Sequence, residues 1–311
     1  MQKNLMPEDA ARGKVDRQLP LGDEIFLDHV GHFVADPAAA ASALTRAGFA
    51  PTPVSIQVGP DGTPTGTGNV TAMLRRGYLE VLFKTADTSL GRELEAAVES
   101  HAGVHLAAFA MADAAAAHRR LATEGFRVRP LVAMQRPVET ESGSGTAAFT
   151  VARIEPGVMA EGRVQILTHR TEETVWQKRW LDHPNGSIGL AALLIAVADL
   201  DEAAARFARF TGRPARPSRL GVTLGLDRGR VELVSAEGFT TLLPEMIIPR
   251  LPFMGAYGVV VRSLDAAEAV LRSGGLAPRR VGGAMVVRFP AELGQGAWLF
   301  AENEPDFPWC G

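Results

Sequence analysis

Cysteine is almost missing from this chain. The 311 residues include one, Cys310, so no internal disulfide and no cysteine-based metal site can form. Aromatic residues make up only 6%, and no Lys/Arg cluster interleaves with them, which argues against a nucleic-acid groove. Charge of one sign is also lacking: the formal net charge is −3. The longest apolar run, Ile188 to Ala198, is too short to span a bilayer. The stretch from Met1 to Asp23 is polar and has no apolar signal core. These absences lead to the expectation of a cytoplasmic protein without membrane or nucleic-acid partners. The composition, 46% hydrophobic and 22% charged, is that of a soluble globular protein, with length for two domains.

What the chain does have is one pattern written four times. A short apolar strand is followed by a polar break, an alanine-rich helix and a glycine. The copies run from Val34 to Gly48, Met111 to Gly125, Val197 to Gly212 and Val261 to Gly275. From break residue to glycine the spacing is 12 (36 to 48), 12 (113 to 125), 13 (199 to 212) and 12 (263 to 275). Such regular self-similarity sets the architecture. Asp36, Asp113, Asp199 and Ser263 are placed as helix N-caps, and Pro37 suits a first helical position. Helices are predicted over Ala38–Arg46, Ala114–Thr123, Leu200–Phe210 and Leu264–Arg272, closed by left-handed glycines. Three further strands follow in each copy. In the first they are expected at Pro51–Val58, Asn69–Leu74 and Tyr78–Phe83, with the Gly59–Gly68 stretch as loop.

Each copy therefore reads β-α-β-β-β. A single unit leaves one sheet face bare, so units must pair. The expected fold class is α+β: four βαβββ modules paired into two curved mixed β-sheet cups with helices outside. The expected boundaries are an N-terminal tail at 1–24, a first domain at 25–172 and a connecting strap at 173–187. A second domain follows at 188–303, and a C-terminal tail at 304–311. The strap carries Trp176 and Trp180 and ends in Pro184-Asn-Gly.

The βαβββ pattern, the Leu27-Asp-His-Val opening with Phe33-Val-Ala-Asp, and the Gly77-Tyr-Leu-Glu-Val-Leu strand resemble the vicinal oxygen chelate superfamily. That superfamily includes glyoxalase I, fosfomycin-resistance proteins and extradiol dioxygenases. Residues 66–82, and the Gln165–His169, Val175-Trp and Asp182–Gly186 stretches, look most like its glyoxalase-like domain proteins. The resemblance covers roughly residues 25 to 303 and specifies fold better than reaction. It implies metal ligands on the first and last strands of a module pair. The matching positions are His29, Glu80, His105 and Gln165. His105 lies eight residues before its break residue, and Leu106 lies seven before. Strand faces alternate, so His105 enters the cup only if a bulge corrects the slip. The set would suit Fe, Mn, Ni, Co or Zn.

In the second pair the matching positions hold Ala192, Ala256, Glu232 and Leu299, which cannot bind a metal. Extradiol dioxygenases carry their triad in that half, so the resemblance disfavours that subclass, and a dioxygenase built on the first pair is kept as an alternative. Three functions follow. One is a glyoxalase-like lyase or isomerase, with a divalent ion as Lewis acid and Glu80 as the catalytic proton carrier on a small substrate. Another is a metal-free small-molecule binder, its cup lined by Phe33, Phe83, Phe109 and Phe149 and its Glu80 paired with Arg75 or Arg76. The third is a scaffold without ligand. The oligomeric state stays open, a homodimer being one option, because paired units can assemble within or between chains and this chain already has both pairs.

Overall fold

The structure is a computed structural model and describes residues 17–59 and 61–310. The tail expected at 1–24 lies outside the described residues as far as residue 16. The four repeats are all present. The first comprises β1 (Ile25–Phe33), α1 (Pro37–Arg46), β2 (Ser55–Val58), β3 (Pro64–Met73) and β4 (Tyr78–Lys84). A helix not anticipated from the sequence, α2 (Ser89–Ser100), leads to the second repeat. That repeat holds β5 (Gly103–Met111), α3 (Ala114–Thr123), β6 (Val132–Thr140), β7 (Gly143–Arg153) and β8 (Arg163–His169). After the short helix α4 (Glu172–Val175) come β9 (Ser187–Val197), α5 (Leu200–Thr211), β10 (Ala215–Pro217), β11 (Gly221–Gly225) and β12 (Arg230–Ser235). A second unanticipated helix, α6 (Ala236–Leu242), precedes β13 (Phe253–Val261), α7 (Leu264–Ser273), β14 (Arg279–Val281), β15 (Ala284–Arg288) and β16 (Ala297–Ala301).

The caps explain why the helices begin and end where they do. The side chains of Asp36, Asp113, Asp199 and Ser263 each accept from backbone N–H groups of the first turn, worth about 1 kcal/mol apiece. Gly48, Gly125, Gly212 and Gly275 all have φ between 69° and 83°, the left-handed stop that their position requires. One boundary is corrected. The Gly59–Gly68 stretch is not all loop, because β3 starts at Pro64 and pairs with β2 through Val58↔Pro64. Register with its neighbour outweighs the glycine content there.

The first sheet closes into a barrel in the order β1-β4-β3-β2-β6-β7-β8-β5. The second has the equivalent order, β10-β11-β12-β9-β13-β16-β15-β14, but stays open. Its inner face is filled instead. Ala192, Ala256 and Leu299 pack into one apolar cluster with Phe239 of α6 and with Phe307 and Trp309 of the C-terminal segment. Backbone bonds join the two sheets at turns that correspond between the halves. Leu27 N–H donates to the Arg228 carbonyl (2.8 Å) and Leu190 N–H to the Arg76 carbonyl (2.8 Å). The glycine after each arginine is needed: a Cβ on Gly77 would lie 2.5 Å from the Asp28 carbonyl oxygen. One continuous core contains Phe49 and Phe109 from the first half and Phe210 and Trp298 from the second. Among the described residues no helix is long and apolar enough to cross a membrane.

Two buried titratable groups have opposite effects. His32 is fully buried between the halves; its Nδ1 lies 2.9 Å from the Leu293 carbonyl and its Nε2 lies 2.9 Å from the Tyr257 hydroxyl. A carbonyl only accepts, so Nδ1 carries the proton and Nε2 accepts from Tyr257. Burial lowers the imidazole to about 4. Glu232 is also fully buried, and neither of its carboxyl oxygens has a hydrogen-bond partner. Burial pushes it up to about 7, although the nearby Thr223 and Ser218 hydroxyls pull the other way. Those hydroxyls are near enough to temper the shift without reaching hydrogen-bonding geometry.

Between pH 6.5 and about 4 the unfolded chain takes up a proton that folded His32 refuses, so acid destabilises the fold there. Between pH 4.5 and about 7 folded Glu232 keeps a proton that the unfolded chain has lost, so rising pH destabilises it. Urea unfolding across pH should resolve both. His32→Gln should flatten the acid loss, and Glu232→Gln should remove the loss toward neutral pH, each by on the order of 3 kcal/mol.

Candidate functional site

The site grows from a bulge in β1. Leu27 pairs with Phe109 and His29 with Ala108, so Asp28 is an extra residue with no partner on β5. A bulge re-aims a side chain. Here the fully buried Asp28 carboxylate reaches His29 Nδ1 at 2.7 Å and His169 Nε2 at 2.9 Å. Burial works to raise the Asp28 carboxyl, but the charge and hydrogen bond of His169, together with the His29 contacts, outweigh it and hold Asp28 well below the ordinary carboxylate range. With Nδ1 held by Asp28, His29 turns Nε2 to Glu80 Oε2, 3.4 Å away. Asn69 Nδ2 donates to the other Glu80 oxygen at 2.6 Å. The Tyr78 ring stacks on His29 at 4.3 Å between centroids.

His29, Glu80 and Gln165 therefore line one cavity of about 50 Å³ inside the barrel, together with Asn69, Tyr78 and Phe149. The Gln165 Oε1 atom is buried and has no partner. His105 does not join them. β5 does bulge, between the pairs Gly31↔Leu106 and His32↔Val104, but the extra residue is His105 itself and it stays outside. Its Nε2 lies 2.7 Å from the His101 carbonyl, and its ring stacks on Phe33 at 5.4 Å. Leu106 takes the inward position. It fits because the residue opposite is Gly31, on which a Cβ would lie 2.8 Å from Leu106 Cβ.

The expected lining also changes. Phe149 faces the cavity, whereas Phe83 and Phe109 pack in the shared core and Phe33 packs against Leu94 beside the cup. Arg75 pairs with Asp182 rather than Glu80. Sequence reasoning missed the arginines that do reach the cavity: Arg136 on β6, Arg153 on β7 and Arg163 on β8. Arg163 pairs with Glu93 at 3.5 Å. Arg136 is 7% exposed and makes no hydrogen bond or ion pair with any described residue. The Arg153 guanidinium donates only to the Met134 thioether (2.9 Å), and its Nε is buried without a partner. Burial lowers all three, Arg153 to about 9. The signal available in the sequence was position alone: inward-facing arginines on strands that alternate.

These residues do not fit a resident divalent ion. One imidazole, one carboxylate and one amide oxygen converge, and the fourth ligand position is Leu106. Among the described residues no three His, Cys, Asp or Glu groups come together as a metal cluster. Three guanidiniums share the cavity and would repel a cation. The same features suit an anion, for which Arg136 and Arg153 offer unused donors.

A glyoxalase-like domain family model matches residues 27–211. No curated protein matches the chain. Among solved structures, a hypothetical protein from Staphylococcus aureus is similar over 89% of this chain and 98% of its own, with a TM-score of 0.63 and 9% identity. A mutant of 4-hydroxymandelate synthase from Streptomyces coelicolor is similar over 89% and 92%, with a TM-score of 0.58 and 14% identity. A fusion of a xylose isomerase-like TIM barrel with 4-hydroxyphenylpyruvate dioxygenase is similar over 91% of this chain and 50% of its own, with a TM-score of 0.56 and 10% identity. At these identities the likeness concerns fold alone. The match over residues 27–211, together with the paired βαβββ repeats, places the chain in the glyoxalase-like domain family of the vicinal oxygen chelate superfamily.

Proposed function

We propose that the barrel cavity binds a small organic oxyanion without a resident metal and presents it to Glu80 for proton transfer. One observation carries the reading: Arg136 and Arg153 are guanidiniums turned into a protein cavity without a close ion pair to any described residue, Glu80 acting on them only at longer range. A buried charge left unpaired costs several kcal/mol. A carboxylate or similar group supplied by the ligand would offset that cost with charge-assisted hydrogen bonds.

The chemistry available at the cavity is acid–base. Asn69 donates to one Glu80 oxygen, which leaves Oε2 beside His29 Nε2 and open to the cavity. From there Glu80 would take a proton from the carbon next to a carbonyl. The C–H electron pair would move onto the carbonyl oxygen, and a guanidinium would hold the resulting oxyanion. Return of the proton from Glu80 to the same carbon gives exchange; on an α-hydroxy carbonyl substrate, its return to the former carbonyl carbon, with the hydroxyl proton passing to the other enediolate oxygen, completes an isomerisation. Asp28 and His169 are positioning residues, since they act through the His29 ring.

Arg136→Gln and Arg153→Gln should each weaken pyruvate or glyoxylate binding about 10- to 100-fold, read by NMR titration. The ligand-free protein should become more stable by about 1–3 kcal/mol, because an uncompensated charge is removed. Loss of stability with unchanged affinity would reject the oxyanion reading. Exchange of the pyruvate methyl protons in D₂O should be accelerated by wild-type protein and not by Glu80→Gln. Equal exchange by both would reject the role given to Glu80.

A further inference from the structure

We infer that the ligand is amphipathic: an anionic head held in the barrel cavity and an apolar body lying in a groove at the barrel mouth. This rests on the oxyanion reading above and extends it to the substrate class. The inner cavity, about 50 Å³, has room for only a few non-hydrogen atoms on the scale where one water occupies roughly 10–15 Å³. That is the size of a carboxylate with a carbon or two. Immediately outside lies a groove of about 670 Å³. Arg136 lines both spaces.

The strands show how the two communicate. Asn69 of β3 faces the inner cavity, and Thr71, two residues on and so on the same face, faces the groove. The barrel is thinnest at this point. β2 and β6 share one paired position, Val58↔Gln135, supplemented by a bond from Ser55 Oγ to the Pro137 carbonyl (3.0 Å). The groove wall opposite is the strap. Gln177 and Arg179 donate to the Glu139 carbonyl on β6, which fixes Trp180 at the groove with the Arg179 guanidinium 5.1 Å from its ring centre.

The groove surface is apolar where a folded protein would otherwise cover it. Among the described residues five large hydrophobic side chains are exposed, and two of them, Val54 at 55% and Ile56 at 38%, line this groove. With Pro137, Val138 and Trp180 they form an apolar track leading away from Arg136. A guanidinium at the inner end and aliphatic and indole surface beyond it match an organic acid with an alkyl or aryl body.

The probes are the linear carboxylates from acetate to decanoate, with decanol and decyltrimethylammonium as controls, titrated below their micelle concentrations. Affinity should rise about three- to fourfold per methylene once the chain leaves the inner cavity. Both controls should bind at least tenfold more weakly than decanoate. Trp180→Ala, and independently Val54→Ser at an exposed position, should flatten the rise while leaving acetate affinity unchanged. Arg136→Gln should weaken every acid by a similar factor, and Arg136→Lys should recover part of it. Affinity independent of chain length, or decanol binding as tightly as decanoate, would overturn the amphipathic ligand and leave the oxyanion reading standing. Failure of acetate, pyruvate and decanoate alike to bind folded protein would overturn both.

Discussion

The site depends on a single extra residue in β1. Because Asp28 has no partner on β5, its carboxylate turns to meet two imidazoles rather than following strand alternation. Buried among apolar neighbours, that charge is tolerable only with such partners. In return it fixes which nitrogen of His29 faces the cavity, and so where Glu80 finds its neighbour. The link to the other module is made by the same group, since His169 lies at the end of β8. Packing reinforces it: Tyr78 covers His29, and Trp176 stands against His169 at 4.5 Å. Without the bulge, the β1–β4 ladder would still set His29 in register with Glu80, but no carboxylate would fix which His29 nitrogen faces it.

The two halves show what the scaffold can do with the same topology. Equivalent strand orders produce a closed barrel with a polar interior in one case and an open sheet with a filled interior in the other. Strand length decides part of this. β3, β6 and β7 run 10, 9 and 11 residues, while their counterparts β11, β14 and β15 run 5, 3 and 5. Short outer strands cannot reach each other to close, so α6 and the C-terminal segment supply the missing apolar surface. Glu232 is the polar residue left behind, in the position equivalent to Glu80 but with no imidazole beside it. Burial there pushes it up to about 7, whereas Glu80 keeps Asn69 and His29 as partners.

The repeat made the architecture readable because each copy carries its own start and stop. An N-cap and a left-handed glycine are local devices, so Asp113 and Gly125 mark α3 without reference to anything distant. Register is not local. Whether His105 or Leu106 faced inward depended on which residue of β5 was the extra one, and that was settled by Gly31 across the ladder. The arginines were hidden for the same reason. Arg136, Arg153 and Arg163 are far apart in sequence, on three strands, and only barrel closure brings them to one cavity. The helices α2 and α6 lie outside the repeat, where self-similarity has nothing to say.

Electrostatics separates an anion site from a cation site more firmly than ligand counting does. Two unit charges roughly 6 Å apart at an effective dielectric of about 20 interact by about 3 kcal/mol. A divalent ion doubles that term against each guanidinium, and with Arg163 paired to Glu93, Glu80 alone is left against the other two. An incoming carboxylate reverses every sign. It meets Arg136 and Arg153 as attractions, leaves the Arg163–Glu93 pair intact, and is opposed by Glu80 and, from beside the cavity, by Asp28 and Glu93. A cavity built this way favours an organic acid over a metal ion and sets the bound acid against Glu80.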